Sequence, residues 1–248
     1  MTQFFPRALL AALSLILIPA CGNANGQDGE ADSAAAPEGS ALSEMFQGDA
    51  DAPVTLIEYA SVTCGACKQF HETVYPALKT RYVDTGKLRY VFREFPTPPE
   101  DIALAGFALA RCAGPDRYFE VLDDLFEHQV GIIQAARNGA AASALAAVGE
   151  RHGIEGEDAF RACINSREIR RAMADVILTG EEYGVNATPT LILQGEKLET
   201  SRQSRTAEGL SGLIDAELMA LGIEPPAAPD DAPDDQADGE PAMPADGQ

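Results

Sequence analysis

The chain has 248 residues, enough for one well-buried domain with appendages. Apolar content is ordinary at 46%, Trp is absent, and a formal charge of −21 argues against nucleic acid as a partner, because phosphate binding needs a basic surface. The charge is uneven: residues 54–223 carry 17 basic and 24 acidic groups, whereas 21–53 and 224–248 carry 15 acids and no Lys or Arg.

Residues 1–20 read as a signal peptide, with Arg7 as a thin basic start and Ala8 to Ala20 as an apolar run too short to span a bilayer. The run ends Leu17-Ile18-Pro19-Ala20-Cys21, which resembles a bacterial lipoprotein signal with Cys21 as the lipidated residue. The alternative is an ordinary cleaved signal. The first reading places the protein in the bacterial periplasm or cell envelope, held at the membrane by a lipid anchor. Residues 21–48 and 223–248 are rich in Ala, Gly, Pro and acids and poor in large apolar side chains. They cannot bury enough surface to offset the entropy of ordering, so they read as an acidic flexible tether and a disordered tail. A tether of that length reaches on the order of 30 Å.

Within the folded part, Val54 to Tyr59 is β-rich and apolar, a candidate buried strand. Ala66 to about Thr80 has helical spacing, and Leu88 to Phe95 reads as a second strand ended by Pro96. An Ala-rich helical block follows, with helices predicted from Asp101 to Cys112, Asp116 to His128, Ala141 to His152 and, as one or two pieces, Glu157 to Tyr183. Strands at Thr190 to Leu193 and Lys197 to Thr200 and a helix from Thr206 to Leu221 close the domain. The order β-α-β, helical block, β-β-α is an α/β arrangement: a mixed sheet flanked by helices, with an inserted all-helical subdomain at 101–175 between sheet-forming parts at 49–100 and 176–222.

The chemistry lies in Cys64-Gly65-Ala66-Cys67, which follows a strand and opens a helix. A helix N-terminus presents unpaired N–H groups and the positive end of the dipole, and both favour thiolate at Cys64. Cys67, one turn further in, is the resolving sulfur. A structural disulfide would close too small a loop to stabilise much, and a zinc site would need two more ligands at metal spacing, which are missing. A dithiol site needs no cofactor and no metal. Thr188-Pro189 enters the later strand. The plain alternative is a trans proline at a strand's first residue. Glu58, a charge inside an apolar strand, is costly unless paired or functional. Two roles are open: a proton relay for Cys67, or an ion pair with a base such as Arg93. His71, His128 and His152 read as helix-surface residues.

Ile57 to Cys67, Val91 to Pro96, Ala110-Arg-Cys112 with Asp116 to Phe119, and Gly184 to Thr190 together resemble the DsbA family, most of all its alphaproteobacterial branch. The resemblance covers about residues 50–222. It implies a thioredoxin fold with a helical insertion, a cis Pro189 facing the Cys pair, and oxidation of secreted proteins that carry cysteines. It also implies a membrane-bound or soluble redox partner that recycles the enzyme. Some members of that branch have a second bridge in the insertion, which supports pairing of Cys112 with Cys163; the alternative is two separate buried thiols. One departure stands out. The family usually places Pro-His between its cysteines, where this chain has Gly-Ala, so a weaker thiolate and a less oxidising disulfide are expected. A reductase or isomerase, or a Cu(I)-binding lipoprotein using the same two thiols, are the competing readings.

Overall fold

A computed structural model describes residues 43–228. The expectations for the leader, Cys21, most of the tether and most of the tail lie outside the described residues.

Five strands form one mixed sheet in the order β1-β3-β2-β4-β5. They are β1 (Met45–Gln47), β2 (Val54–Ala60), β3 (Leu88–Glu94), β4 (Thr190–Leu193) and β5 (Glu196–Lys197). The central strand β2 runs parallel to β3 and antiparallel to β4. Its near-continuous apolar sequence is what a strand covered on both faces requires. One face carries Leu56, Glu58 and Ala60 beside Tyr90 and Phe92, packed under helices. The other carries Ile57, Tyr59, Val91 and Ile192, a smaller cluster closed by Phe46, Phe95, Tyr183 and Val185.

Residues 45–47, read from composition as tether, instead pair as an edge strand with Tyr90–Phe92. Met45 is buried, Arg89 lies over the Phe46 ring at 4.4 Å, and Glu44 pairs with Arg89 at 2.9 Å, which docks this short segment on the sheet. The helix expected over 66–80 is broken in two. Helix α1 (Gly65–Thr73) ends at Val74, α2 (Tyr75–Leu78) opens on Pro76, and a π-helical turn follows over Lys79–Val83. Pro76 forces the break because it has no N–H to continue α1.

The helical block comprises α3 (Glu100–Cys112), α4 (Pro115–Glu127), α5 (Gln129–Arg137), α6 (Ala141–Arg151), α7 (Gly156–Ile164) and α8 (Arg167–Glu182). Helix α5 is absent from the sequence reading. The closing helix is α9 (Ala207–Ala220). Helix α3 is the hub of the block, buried along Ile102, Phe107 and Leu109. Gly106 lets it lie against the loop after β2: a Cβ there would sit 3.1 Å from Val62 Cγ2. The block is tied to the sheet by a buried cluster. Arg111 donates from Nε and Nη2 to the two oxygens of Glu94 at 2.6 and 2.9 Å, and the Tyr118 hydroxyl donates to Glu94 at 2.9 Å. Cys112 and Cys163 join α3 to α7 as a disulfide with Cα atoms 5.7 Å apart.

Candidate active site

Strand β2 ends at Ala60, and the chain turns through Ser61–Thr63 before α1 begins. This loop is held by side chains. The Ser61 hydroxyl accepts from the amide of Thr97 at 3.1 Å, and Thr63 donates to the Thr97 carbonyl at 2.7 Å. Gln129, buried at the start of α5, donates to the carbonyls of Val62 and Cys64 at 2.8 and 3.0 Å. Lys68 of α1 donates to the Phe126 carbonyl at 2.6 Å, at the C-terminal end of α4. The helical block thus grips the loop from one side.

Cys64 is the N-cap of α1, half-buried, and Cys67 is fully buried one turn in; both are free thiols. Thr188-Pro189, a cis peptide, enters β4 opposite them. Cys64 Sγ lies 3.4 Å from the Thr188 carbonyl oxygen. Five of the expected site residues therefore converge at one end of the sheet: Cys64, Thr188 and Pro189 toward the surface, with Cys67 and Glu58 buried. Cys112 and Cys163 lie apart, inside the helical block.

The two thiols are driven in opposite directions. The Cys67 S–H donates to Cys64 Sγ and is the largest influence lowering the Cys64 pKa, from 9.0 to about 5. Partial burial opposes it, while the Thr188 hydroxyl and the amides of Cys67 and Ala66 add to it. The helix N-terminus contributes as its geometry demands, but less than the Cys67 donor. The Thr188 carbonyl is an acceptor and favours the thiol form. Burial pushes the Cys67 thiol far up, reinforced by its bond to Cys64 and by the Glu58 charge. Replacement of the family's Pro-His by Gly-Ala therefore does not leave Cys64 an ordinary thiol, because its donors come from Cys67 and Thr188.

Glu58 is fully buried. Its Oε2 accepts from the Tyr90 hydroxyl and lies 3.1 Å from His71 Nε2. The ion pair with Arg93 does not form. Side chains alternate across the sheet, so Arg93 points to the opposite face, where it pairs with Glu44 at 2.7 Å and donates to the Tyr59 hydroxyl. His71 corrects a second expectation. It is buried, stacked on Phe126 with ring centroids 4.3 Å apart, rather than on the helix surface. His128 is exposed and His152 is partly buried; both contact Asp124. Sequence reasoning missed Gln129, Tyr90 and the burial of His71. The one available signal was the spacing of Cys67 and His71, four apart on one helix face.

Beside Ala66 a groove of about 200 Å³ runs between α1 and β4, lined also by Phe70, Pro189, Leu191, Leu198 and Arg205. Among the described residues no three His, Cys, Asp or Glu side chains converge as a metal site, and no helix is long and apolar enough to cross a membrane.

A sequence model of the thioredoxin family matches residues 40–216. Relatives in Rickettsia typhi and Rickettsia conorii, provisionally named protein-disulfide oxidoreductases, are 31% and 34% identical over 157 and 156 residues. These alignments cover 63% and 61% of this chain, and 56% and 53% of the relatives. The chain thus spans a little over half the length of the curated relatives it matches. The crystal structure of Wolbachia pipientis alpha-DsbA1, in a variant with two cysteines replaced by alanine, superposes with a TM-score of 0.61 at 26% identity, covering 72% of this chain and 94% of that one. BdbD of Bacillus subtilis, at 16% identity, shares the fold with a TM-score of 0.60. The thioredoxin fold with its helical insertion, implied by the resemblance, is thereby borne out, and the chain belongs to the thioredoxin family, among its DsbA-like members.

Proposed function

We propose that the chain is a protein thiol–disulfide oxidoreductase that oxidises cysteine pairs in secreted proteins through Cys64 and Cys67. The observation that carries this is the split between the two thiols: an accessible one driven to thiolate at about 5 and a buried one held as thiol. That asymmetry makes Cys64 both the attacked sulfur and the better leaving group.

In the disulfide form, a substrate thiolate attacks Cys64 Sγ, the Cys64–Cys67 bond breaks, and Cys67 leaves as a thiolate that must take up a proton. A second substrate thiolate then attacks the substrate sulfur of the mixed disulfide, and Cys64 leaves as thiolate. The substrate loses two electrons and two protons, and the enzyme gains both electrons. A thiol-oxidising partner, membrane-bound or soluble, reverses the sequence on the enzyme. Thr188 and Pro189 sit against Cys64 where an extended substrate backbone would lie, and the groove beside Ala66 takes flanking apolar side chains. Glu58 supplies and removes the Cys67 proton. Cys112–Cys163 is a structural bridge.

The apolar leader ending at Cys21 supports a periplasmic site of action on a lipid anchor. Intact mass of the membrane-fraction protein tests the anchor, and an unacylated mature chain lacking Cys21 contradicts it. For the activity, a reduced peptide with two cysteines is mixed with the oxidised protein. The wild type forms the peptide disulfide, Cys64→Ala does not, and Cys67→Ala accumulates the mixed disulfide. An inert wild type contradicts the proposal.

A further inference from the structure

Glu58 is 0% exposed, so a proton that it takes from Cys67 unbalances the buried charge unless a neighbour releases one to solvent. Among the described residues it has two hydrogen-bond partners, Tyr90 and His71. Tyr90 is buried as deeply; its hydroxyl donates to Glu58 and also lies 3.3 Å from His71 Nε2, so it opens no separate way out. His71 has a second ring nitrogen. Two buried polar atoms of this pair accept or donate no hydrogen bond in the protein: Glu58 Oε1 and His71 Nδ1. They are the outer ends of the pair, and Nδ1 lies 4.0 Å from Oδ1 of Asp123, whose side chain is 67% exposed.

Resting on the proposed Glu58 role, we infer that His71 is a positioning residue that lets Glu58 take up the Cys67 proton by releasing its own Nδ1 proton to solvent by way of Asp123. Glu58 starts as carboxylate and His71 as imidazolium, joined by the Nε2–H···Oε2 bond. As Cys67 attacks Cys64 Sγ in the mixed disulfide, its proton moves to Glu58 Oε1, the S–S bond to the outgoing thiol breaks, and that thiol departs with the electron pair. The imidazolium then gives its Nδ1 proton to Asp123 and on to water, leaving Glu58 as the neutral acid and His71 as the neutral imidazole. The Nε2–H···Oε2 bond persists throughout. When Cys67 next leaves as a thiolate, the same path runs inward and restores the pair. Each cycle carries one proton out and one in, so the relay resets itself.

The titratable groups around His71 are Glu58 from β2, Tyr90 from β3, Tyr75 from α2 and Asp123 from α4. Phe126 and Phe92 wall the ring from water, so Asp123 marks its way out.

The test uses the reduced full chain and an aromatic disulfide reagent that releases a coloured thiol in two phases. Attack by Cys64 gives the first phase and attack by Cys67 gives the second. In His71→Ala the first phase should stay within about twofold of wild type, and the second should slow about tenfold. A direct acid–base group contributes at least about 100-fold, and Glu58 remains in place. Free imidazole in the buffer should restore the second phase. His71→Gln keeps a donor to Glu58 but has no Nδ1, and should stay slow while folding normally. A second phase equal to wild type in both variants overturns the inference, as does slowing in His71→Ala that imidazole leaves untouched. A wild type with no second phase overturns the proposed function itself, which keeps the two failures distinct.

Discussion

Removing the Cys67 S–H should loosen the hold on the Cys64 thiolate, and the size of the effect follows from the site. The Cys64 pKa falls from 9.0 to about 5 against the opposing pull of burial, and the Cys67 side chain is its largest donor. A hydrogen bond to a charged group contributes about 1.5–3 kcal/mol, which corresponds to about 1–2 pKa units. Cys67→Ala should therefore raise the Cys64 pKa to about 6–7. The Thr188 hydroxyl and the two amides hold it below the ordinary range. Cys67→Ser keeps a hydroxyl donor in the same place and should stay near the wild-type value. Thiolate absorbance across a pH series, checked by alkylation rate, reads both variants. A Cys67→Ala value unchanged from wild type would show that the Cys67 S–H does not hold the thiolate and would refute the reasoning.

Other outcomes follow from the same structure. Arg111→Ala strips the partner from Glu94 in the buried cluster and should destabilise the fold by about 3–5 kcal/mol in denaturant unfolding, the usual cost of orphaning a buried charge. Replacing both Cys112 and Cys163 with Ala opens a loop with a sequence separation of 51 and should lower stability by roughly 4 kcal/mol on the loop-entropy model. Gln129→Leu abandons the carbonyls of Val62 and Cys64 and should cost about 1–3 kcal/mol, with faster amide exchange in residues 61–65. The reduced protein should also gain stability with pH. A folded pKa below the unfolded one contributes nothing below the folded value of about 5, grows above it, and is complete above 9.0. Urea midpoints for wild type and Cys64→Ala at both ends of that window check the sign.

Much of the site could be read in the chain because its signals are local. A Cys pair between strand and helix, and a Thr-Pro step entering a strand, need only a few adjacent residues. Thr190–Leu193 is a strand with the expected bounds for the same reason: Thr and three apolar residues between a Pro and a Gln-Gly turn. What escaped depends on partners far along the chain. Glu58 is an awkward charge in a strand until Tyr90 and His71 arrive, 32 and 13 residues away. Periodicity gives the face of α1 on which His71 stands, but not that Phe126 of α4 covers it. Helix α5 went unseen because it follows α4 directly through His128 with no breaker between them, and its few apolar residues surround Gly131. Strand β1 was hidden by its acidic neighbours, which composition counts alongside it.

If Cys64 and Cys67 form an oxidising redox pair, the potential of that pair must show it. The protein is equilibrated in glutathione buffers and its free thiols are trapped. Thioredoxin, with a cysteine near 7, sits at about −270 mV. Each unit of thiolate stabilisation below neutral adds roughly 30 mV, so Cys64 at about 5 predicts a value near −210 mV or less negative, toward the roughly −120 mV of DsbA. A value at or below about −270 mV would make the pair a reductant, and the absence of any titratable pair would contradict the account outright.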